Sequence, residues 1–328
     1  MAEYTRKIER TFSVGDSPLL KIANRRGALT VRGSDRSDIA FSGELRVDAG
    51  SRDEAEERFD AIELPIEQND DTIEIGPPEF AETETINIFG FSIPASWKGP
   101  RIDMVVEVPR TCRVQADQRT GSVRIEGLTA DLRVSTRTGR IRIADIEGEI
   151  EVEARTGAVE LHSVKGAVRV ETRTGRVEVE DVTGDCTLST RTGAVQARDI
   201  TGVLQCRTRT GAIRAVNCDG PFSLETTTGV VEYRGDITGD GTIDVRTGRI
   251  TLAVQRGASF YIDASTERGS VQSELDVNDV TEPKEGAPKV RLRSRTGSIR
   301  IVPAAIALAV ASLGTLAAFA PLGAALTL

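Results

Sequence analysis

The tripeptide Arg-Thr-Gly returns along the chain at a fixed interval of eighteen residues. A period of this length is typical of solenoids, in which each repeat is one structural unit that stacks on its neighbours. After the regular copies, 227–229 keeps the interval as Thr-Thr-Gly, 246–248 follows nineteen residues later, and 295–297 is a distant copy, while 25–27 is a degenerate early one. The regular copies begin at Arg119, Arg137, Arg155, Arg173, Arg191 and Arg209.

Apolar residues recur at fixed places in each unit when the unit is numbered from its arginine. Alternating apolar and polar residues predict strands with one buried face, and the mostly β-branched apolar residues favour strands as well. Glycine at the third and usually the twelfth position supplies backbone freedom for corners. Each unit therefore predicts two short strands and two bends. In the unit that begins at Arg155 the fifth, seventh, tenth, fourteenth and sixteenth residues are Val159, Leu161, Val164, Val168 and Val170.

One such unit cannot bury its apolar face alone, so successive units are expected to stack strand on strand at about 4.8 Å. The fold predicted is all-β, a parallel β-helix (solenoid) with 18-residue coils, followed by a C-terminal apolar helix over 303–328 that spans a membrane or caps the solenoid. Regular coils are expected over 119–302. An irregular N-terminal β region is expected over 1–118, with one helix at about 51–62 that has Ser51 as its N-cap.

The segments "VEVPR" and "VQADQRTGSVRIEGL", followed by many coils that each start with Thr-Gly, carry a resemblance to a known family. Over roughly residues 20–302 the chain resembles the bacterial and archaeal putative-adhesin family of unknown function. The resemblance implies a β-strand repeat domain of β-helical type, a surface role and attachment to a membrane segment. The chain also resembles, more weakly, the bactofilins, which are short-coiled β-helices that polymerise end to end.

Composition and motifs exclude several functional classes. A formal net charge of -8 argues against a nucleic-acid partner. The single histidine, His162, excludes a two-histidine zinc site, and its position in the repeat faces solvent. Cys186, Cys206 and Cys218 fall at inward positions and are interpreted as small core residues. Cys186 and Cys206 are separated by a diagonal of about 8 Å, which is beyond disulfide reach.

Localisation is predicted from the N-terminus and the cysteines. "MAEYTRKIERTF" has no apolar stretch of the kind that a secretory signal needs. Four cysteines in a chain of 328 residues do not make a disulfide scaffold. Both features favour a β-helix in the reducing cytoplasm.

The segment "DITGDGTID" matches part of the spacing of a calcium loop. Asp236, Thr238, Asp240 and Asp244 would supply ligands, but the twelfth position holds Thr247 where an EF-hand has glutamate. The preferred interpretation is an acidic turn that absorbs the one-residue insertion. Calcium is the only cofactor for which the sequence offers a candidate site, and no other cofactor is expected.

The arginines of the repeat, from Arg119 to Arg209, are expected to form a ladder along one edge of the solenoid. Two interpretations are open, and the sequence favours the second. The ladder binds an anionic polymer or lipid headgroups, or it is a solvated edge whose charge is balanced by Glu153, Glu171 and Glu225 in surface ion pairs.

Residues 304–328 carry no charged side chain. As a helix they would be about 37 Å long, more than the roughly 30 Å of a bilayer core. Basic residues just upstream predict, by the positive-inside rule, a single C-terminal span with the β-helix on the cytoplasmic side. The alternative is a buried helix that caps the last coil. The basic residues are Lys289, Arg291, Arg293, Arg295 and Arg300.

The sequence thus favours a non-enzymatic, membrane-anchored β-helical scaffold or binding protein of adhesin-like type. Two alternatives stay open: an enzyme that acts on an anionic glycan, and a bactofilin-like self-assembling protein. An enzyme would show paired carboxylates beside an arginine in a cleft. Self-assembly depends on whether the ends of the coil are capped.

Overall fold

A computed structural model describes residues 2–80, 87–88, 91–92, 100–255, 259–275 and 285–304. These residues form one short helix, α1 (Arg52–Asp60), and many strands. The strands are β1 (Ala2–Ser13), β2 (Leu19–Arg26), β3 (Leu29–Ser34), β4 (Asp38–Ala49), β5 (Ile62–Glu63), β6 (Ile66–Asn69), β7 (Thr72–Ile75), β8 (Glu79–Phe80), β9 (Asn87–Ile88), β10 (Phe91–Ser92), β11 (Arg101–Pro109), β12 (Arg113–Thr120), β13 (Val123–Leu128), β14 (Leu132–Thr138), β15 (Ile141–Glu147), β16 (Ile150–Thr156), β17 (Val159–Lys165), β18 (Val168–Thr174), β19 (Val177–Thr183), β20 (Cys186–Thr192), β21 (Val195–Thr201), β22 (Leu204–Thr210), β23 (Ile213–Asp219), β24 (Phe222–Arg234), β25 (Gly241–Val254), β26 (Tyr261–Arg268), β27 (Val271–Ser273), β28 (Lys289–Thr296) and β29 (Ile299–Pro303).

The repeat folds into two stacks of parallel strands, with two strands in each turn. In the first stack β16 pairs with β14 on one side and β18 on the other. In the second stack β17 pairs with β15 and β19 in the same way. Partners lie eighteen residues apart, as in Ile150 and Val168. The all-β fold with long repeated strands in a solenoid-like arrangement is therefore confirmed.

The apolar positions of the repeat fill the interior. Val159, Leu161, Val164, Val168 and Val170 are all buried. Each of these residues is in register with an apolar residue of the turn above, and the columns form one continuous core. The predicted inward positions are confirmed.

A left-handed residue at the ninth position explains why the apolar pattern shifts from the seventh to the tenth residue. Asp145, Ser163, Asp181, Asp199 and Asn217 have φ between 51° and 57°. Such a residue bends the strand and turns the next side chain inward. Aspartate and asparagine tolerate this conformation better than most residues do.

The corner after each Arg-Thr pair requires glycine. Gly157 has φ +150°, and a Cβ at this position would lie 1.6 Å from the carbonyl oxygen of Gly139 in the turn below. The corners of neighbouring turns are therefore packed backbone on backbone. No larger residue fits there without moving the chain.

A column of buried polar side chains runs along the inside of these corners, at the eighteenth position of the repeat. Most members are threonine, and Gln118 donates a hydrogen bond to the Gly27 carbonyl at 2.8 Å. The Thr208 hydroxyl lies 3.5 Å from the Gly193 carbonyl oxygen. The buried polar members are Asn24, Gln118, Thr136, Thr172, Thr190, Thr208, Thr226 and Ser294.

Both stacks continue below residue 118. In the first, β12 pairs in parallel with β2, and β2 pairs with β7. In the second, β13 pairs with β3, and β3 pairs with β11. Beyond β11 the pairing turns antiparallel through β4 to β1, which closes the second stack at this end.

The helix α1 packs on this N-terminal end, where its Ala55 and Phe59 join the core. The Ser51 hydroxyl accepts a hydrogen bond from the Glu54 backbone N–H at 3.2 Å. Glu54 in turn accepts one from the Gly50 N–H at 2.7 Å. This reciprocal capping starts the helix and confirms the predicted N-cap.

At the C-terminal end the order of turns in space differs from the order in sequence. The strands β28 and β29 pair with β25, and β26 and β27 lie beyond them. The inward-facing Ile262 and Val271 of this last turn are 42% and 44% exposed. Their partners in register, Val290 and Ile299, are buried.

Among the described residues no helix is both long and apolar enough to cross a bilayer. The predicted apolar helix over residues 304–328 lies, apart from Ala304, outside the described residues.

Candidate functional site: an arginine-lined groove

The six repeat arginines occupy the same place on successive strands of the first stack. Each lies near the strand end, next to an exposed threonine and two residues before the corner glycine. All six are exposed, and the stacking of the strands sets them about 4.8 Å apart. The predicted ladder is therefore present as a geometric feature. Its members are Arg119, Arg137, Arg155, Arg173, Arg191 and Arg209.

A groove of about 1010 Å³ runs along this ladder. The arginines form one wall, and the residues two places earlier in each strand form the other. Between the walls, the residues of the buried polar column form the floor, as Thr172 does between Glu171 and Arg173. We call this feature the arginine groove. The opposite wall consists of Asp117, Ser135, Glu153, Glu171, Ser189 and Arg207.

The groove extends beyond the regular copies of the repeat at both ends. Arg25 lines it at the N-terminal end, in register with Arg119. Beyond Arg209 the column has Thr227 and then continues with Arg246 and Arg295, which line a second depression of about 830 Å³. The run from Arg25 to Arg209 spans six rung steps, or about 29 Å.

The ladder arginines form no ion pair with any residue that the structure describes. The expected ion pairs with Glu153, Glu171 and Glu225 are wrong. Glu153 lies 3.5 Å from a guanidinium nitrogen of Arg133, and the other two carboxylates pair with arginines at other positions of the repeat. These other pairs are Glu171 with Arg169 and Glu225 with Arg207.

Unpaired arginines on neighbouring rungs repel each other. In water two unit charges at this spacing interact by about 1 kcal/mol. Among the three wall carboxylates, Glu153 shares Arg133 with Glu151, Glu171 pairs with Arg169, and Asp117 has no ion pair with a described residue. Six ladder arginines outnumber these three carboxylates. The groove therefore carries an excess of positive charge and is suited to an anion.

The segment predicted as a calcium loop does not gather its four residues around one point. The Thr238 hydroxyl accepts a hydrogen bond from the Gly220 N–H at 2.8 Å, and the Asp240 carboxylate accepts one from the Lys289 N–H at 2.8 Å. Asp244 lines the second depression instead. In the part of the chain that the structure describes, no group of three or more His, Cys, Asp or Glu residues could hold a metal ion.

Histidine and cysteine lie away from the groove. His162 is exposed on the second stack, with its Nδ1 3.8 Å from Glu180. All four cysteines are free and buried, which agrees with the absence of a Cys186–Cys206 disulfide. Burial raises the pKa of the Cys186 and Cys218 thiols to about 12, so neither is an activated nucleophile.

Sequence reasoning found the arginine wall and missed the rest of the groove. The opposite wall varies in chemistry from turn to turn, so it gives no repeating signal. The floor was hidden because threonine at the eighteenth position counts as a polar residue in an alternation pattern. Both could have been found from their positions in the repeat. The residue of the opposite wall stands two residues before each arginine, and the floor residue stands one residue before it.

The fold and the groove define a repeat β-solenoid with an elongated surface site. The chain belongs to the Toastrack DUF4097 family, whose model matches residues 20–301. The resemblance to the putative-adhesin family is thereby confirmed.

Among solved structures, the chain is similar to a putative cell adhesion protein from Clostridium sporogenes ATCC 15579. The identity is 11%, with a TM-score of 0.22, over 91% of this chain and 100% of that one. It is also similar to a putative adhesin from Bacteroides fragilis NCTC 9343, with 13% identity and a TM-score of 0.24 over 91% and 97% of the two chains. No curated protein matches the chain significantly.

Proposed function

We propose that the protein is a non-enzymatic binding scaffold whose arginine groove takes a linear anionic polymer. The observation that carries the proposal is the row of six exposed guanidinium groups with no carboxylate partner among the described residues. Guanidinium pairs with carboxylate or phosphate through two parallel hydrogen bonds. A linear row of such groups along a groove suits a chain better than a single small ligand.

Repulsion within the ladder destabilises the free protein, so we expect the ladder to have a role in binding. Like charges kept side by side cost folding free energy, and a bound anion relieves that cost. A groove along the solenoid axis also suits an extended polymer better than a flat layer of lipid headgroups. Lipid headgroups remain the competing ligand in the test below.

The variant R137Q/R155Q/R173Q is expected to bind heparin, used as a generic linear polyanion, about 100-fold more weakly at low salt. Each arginine near an anionic partner contributes about 1 kcal/mol, and 1.4 kcal/mol is tenfold in affinity. The loss should shrink as salt screens the contacts. Calorimetric titration at graded salt measures it, and thermal melting should show the variant at least as stable as the native chain.

The control is R124Q/R142Q/R214Q, which removes the same charge from exposed positions on the second stack. It should bind heparin almost as the native chain does. Equal losses in both variants would show that net charge rather than the groove binds the polymer. If binding to anionic vesicles depends on the ladder arginines and heparin does not bind, the ligand of the groove is a membrane surface and not a polymer.

The membrane attachment is proposed to lie in residues 304–328, which contain no charged residue. The chain enters this segment directly from β29, which ends at Pro303. The basic residues of β28 and β29, Lys289 to Arg300, would then hold the solenoid on the cytoplasmic side.

Cell fractionation tests the attachment. The full chain is expected in the membrane fraction, and a chain that ends at Val302 is expected to be soluble and to melt at the same temperature. If both forms are soluble, the segment is no anchor. If the shortened form is soluble but melts much lower, the segment caps the solenoid instead.

An enzyme that acts on an anionic glycan is the second candidate, because Glu153 and Glu171 lie opposite each other on adjacent strands beside Arg155 and Arg173. Their surroundings argue for binding. Both carboxylates are at least half exposed and paired with arginine, whereas a catalytic acid is commonly placed in an apolar pocket. Polymer that stays at full length after incubation with the protein supports the binding function.

A bactofilin-like polymer is not favoured by the ends of the solenoid. End-to-end stacking without limit requires two matching ends. Here one end carries the antiparallel strands β1 and β4 and the helix α1, and the other carries the parallel turn of β26 and β27.

A further inference from the structure

The two walls of the arginine groove differ in chemistry. The ladder wall offers guanidinium donors with no carboxylate partner among the described residues. The opposite wall offers acceptors over most of its length: the carboxylates of Asp117, Glu153 and Glu171 and the hydroxyls of Ser135 and Ser189. Its last member, Arg207, is paired with Glu225. A ligand that fits both walls must carry anions along one side and hydrogen-bond donors along the other.

The opposite wall disfavours polyphosphate. Every exposed oxygen of a polyphosphate chain accepts hydrogen bonds and carries negative charge, so it would face Glu153 and Glu171 without a donor. These two carboxylates are in register on neighbouring strands. Hydroxyl groups of a sugar, by contrast, donate to such carboxylates.

The floor and walls also disfavour a nucleic acid. Single strands gain about 1–3 kcal/mol for each base that stacks on an aromatic side chain. None of the described residues that line the groove is aromatic.

The spacing of the ladder points in the same direction. An extended acidic peptide presents side chains on one face every 6.6 Å or so, and a DNA strand presents a phosphate about every 3.4 Å. Neither matches a rung of about 4.8 Å.

We infer that the ligand of the arginine groove is an acidic polysaccharide that carries one carboxylate on each sugar. The inference rests on the proposed function and narrows it to a ligand class. The sugar carboxylates pair with the ladder arginines, and the ring hydroxyls donate to Glu153, Glu171 and the wall serines.

The test compares polygalacturonate with its methyl ester, which has the same backbone and no charge. The full chain should bind polygalacturonate at least 100-fold more tightly than the ester and more tightly than polyphosphate or polyglutamate of equal charge. The variant E153Q/E171Q keeps groove shape while removing two acceptor charges. It should bind polygalacturonate more weakly and polyphosphate more tightly than the native chain does.

The outcomes separate this inference from the proposed function. If R137Q/R155Q/R173Q abolishes binding of polyphosphate and the native chain prefers polyphosphate to polygalacturonate, the groove binds anions but the ligand class is wrong. If no polymer depends on the ladder arginines, the proposed function itself fails. Tighter binding of polygalacturonate by E153Q/E171Q would overturn the role given to the opposite wall.

Discussion

Replacing Val170 by aspartate should destabilise the solenoid by about 4 kcal/mol or more. Val170 is fully buried at the centre of β18, in register with Val152 below it and Leu188 above it. A carboxylate there has no polar partner, and a buried unpaired charge costs several kcal/mol. Burial would also raise the pKa of the new carboxyl, so the destabilisation should lessen at acidic pH.

The damage should not stay within one turn. In a solenoid each turn is stabilised mainly by its contacts with the two neighbouring turns. Loss of the turn that contains β18 removes the support of β16 and of β20. Hydrogen exchange should therefore show several adjacent turns opening together.

Thr174→Asp is the matched control, because it places the same carboxylate at an exposed position of the same strand. Urea unfolding should change by less than about 0.5 kcal/mol for this variant. Equal midpoints for the two variants would mean that the inward register assigned to Val170 is wrong.

The interior could be predicted from the sequence because each column repeats one chemical type. Val159, Val164 and Val170 stand in columns that are apolar in the neighbouring turns as well, and this repetition fixes which way each side chain faces. The period alone then fixes the pairing of strands. The helix α1 was predictable for a local reason, since Ser51 and Glu54 form a capping pair.

Features that depend on the third dimension were not predictable. The insertion of β28 between β25 and β26 reverses the order of turns, and a repeat pattern carries no information about such an exchange. The same holds for the ion pairs of the groove. Several arginines stand near Glu153 and Glu171 in the repeat. The distances in the folded chain show that Glu153 pairs with Arg133 and Glu171 with Arg169.

The threonine column shows a limit of patterns based on hydrophobicity. Thr172 and Thr190 are buried, yet they stand at a place where the sequence alternation reads as polar. Their hydroxyl oxygens are buried and have no hydrogen-bond partner among the described residues. The floor of the groove was missed for this reason, although the arginines next to it were found.

The central claim is that the arginines act together as one linear site. Affinity for galacturonate oligomers should then rise steeply with length, because each further rung adds a contact within an already bound chain. From the dimer to the heptamer the gain should be roughly 100-fold or more. It should level off once the oligomer passes the run from Arg25 to Arg209, which spans about 29 Å.

Calorimetric titration of the full chain with oligomers of graded length is the measurement that tests this claim most directly. The native chain should show the steep rise and the plateau, and R137Q/R155Q/R173Q should show a shallow rise, since its ladder is broken in the middle. R124Q/R142Q/R214Q should follow the native chain. An affinity that does not change with length, or a rise that is the same with and without the three ladder arginines, would contradict a linear site in the groove.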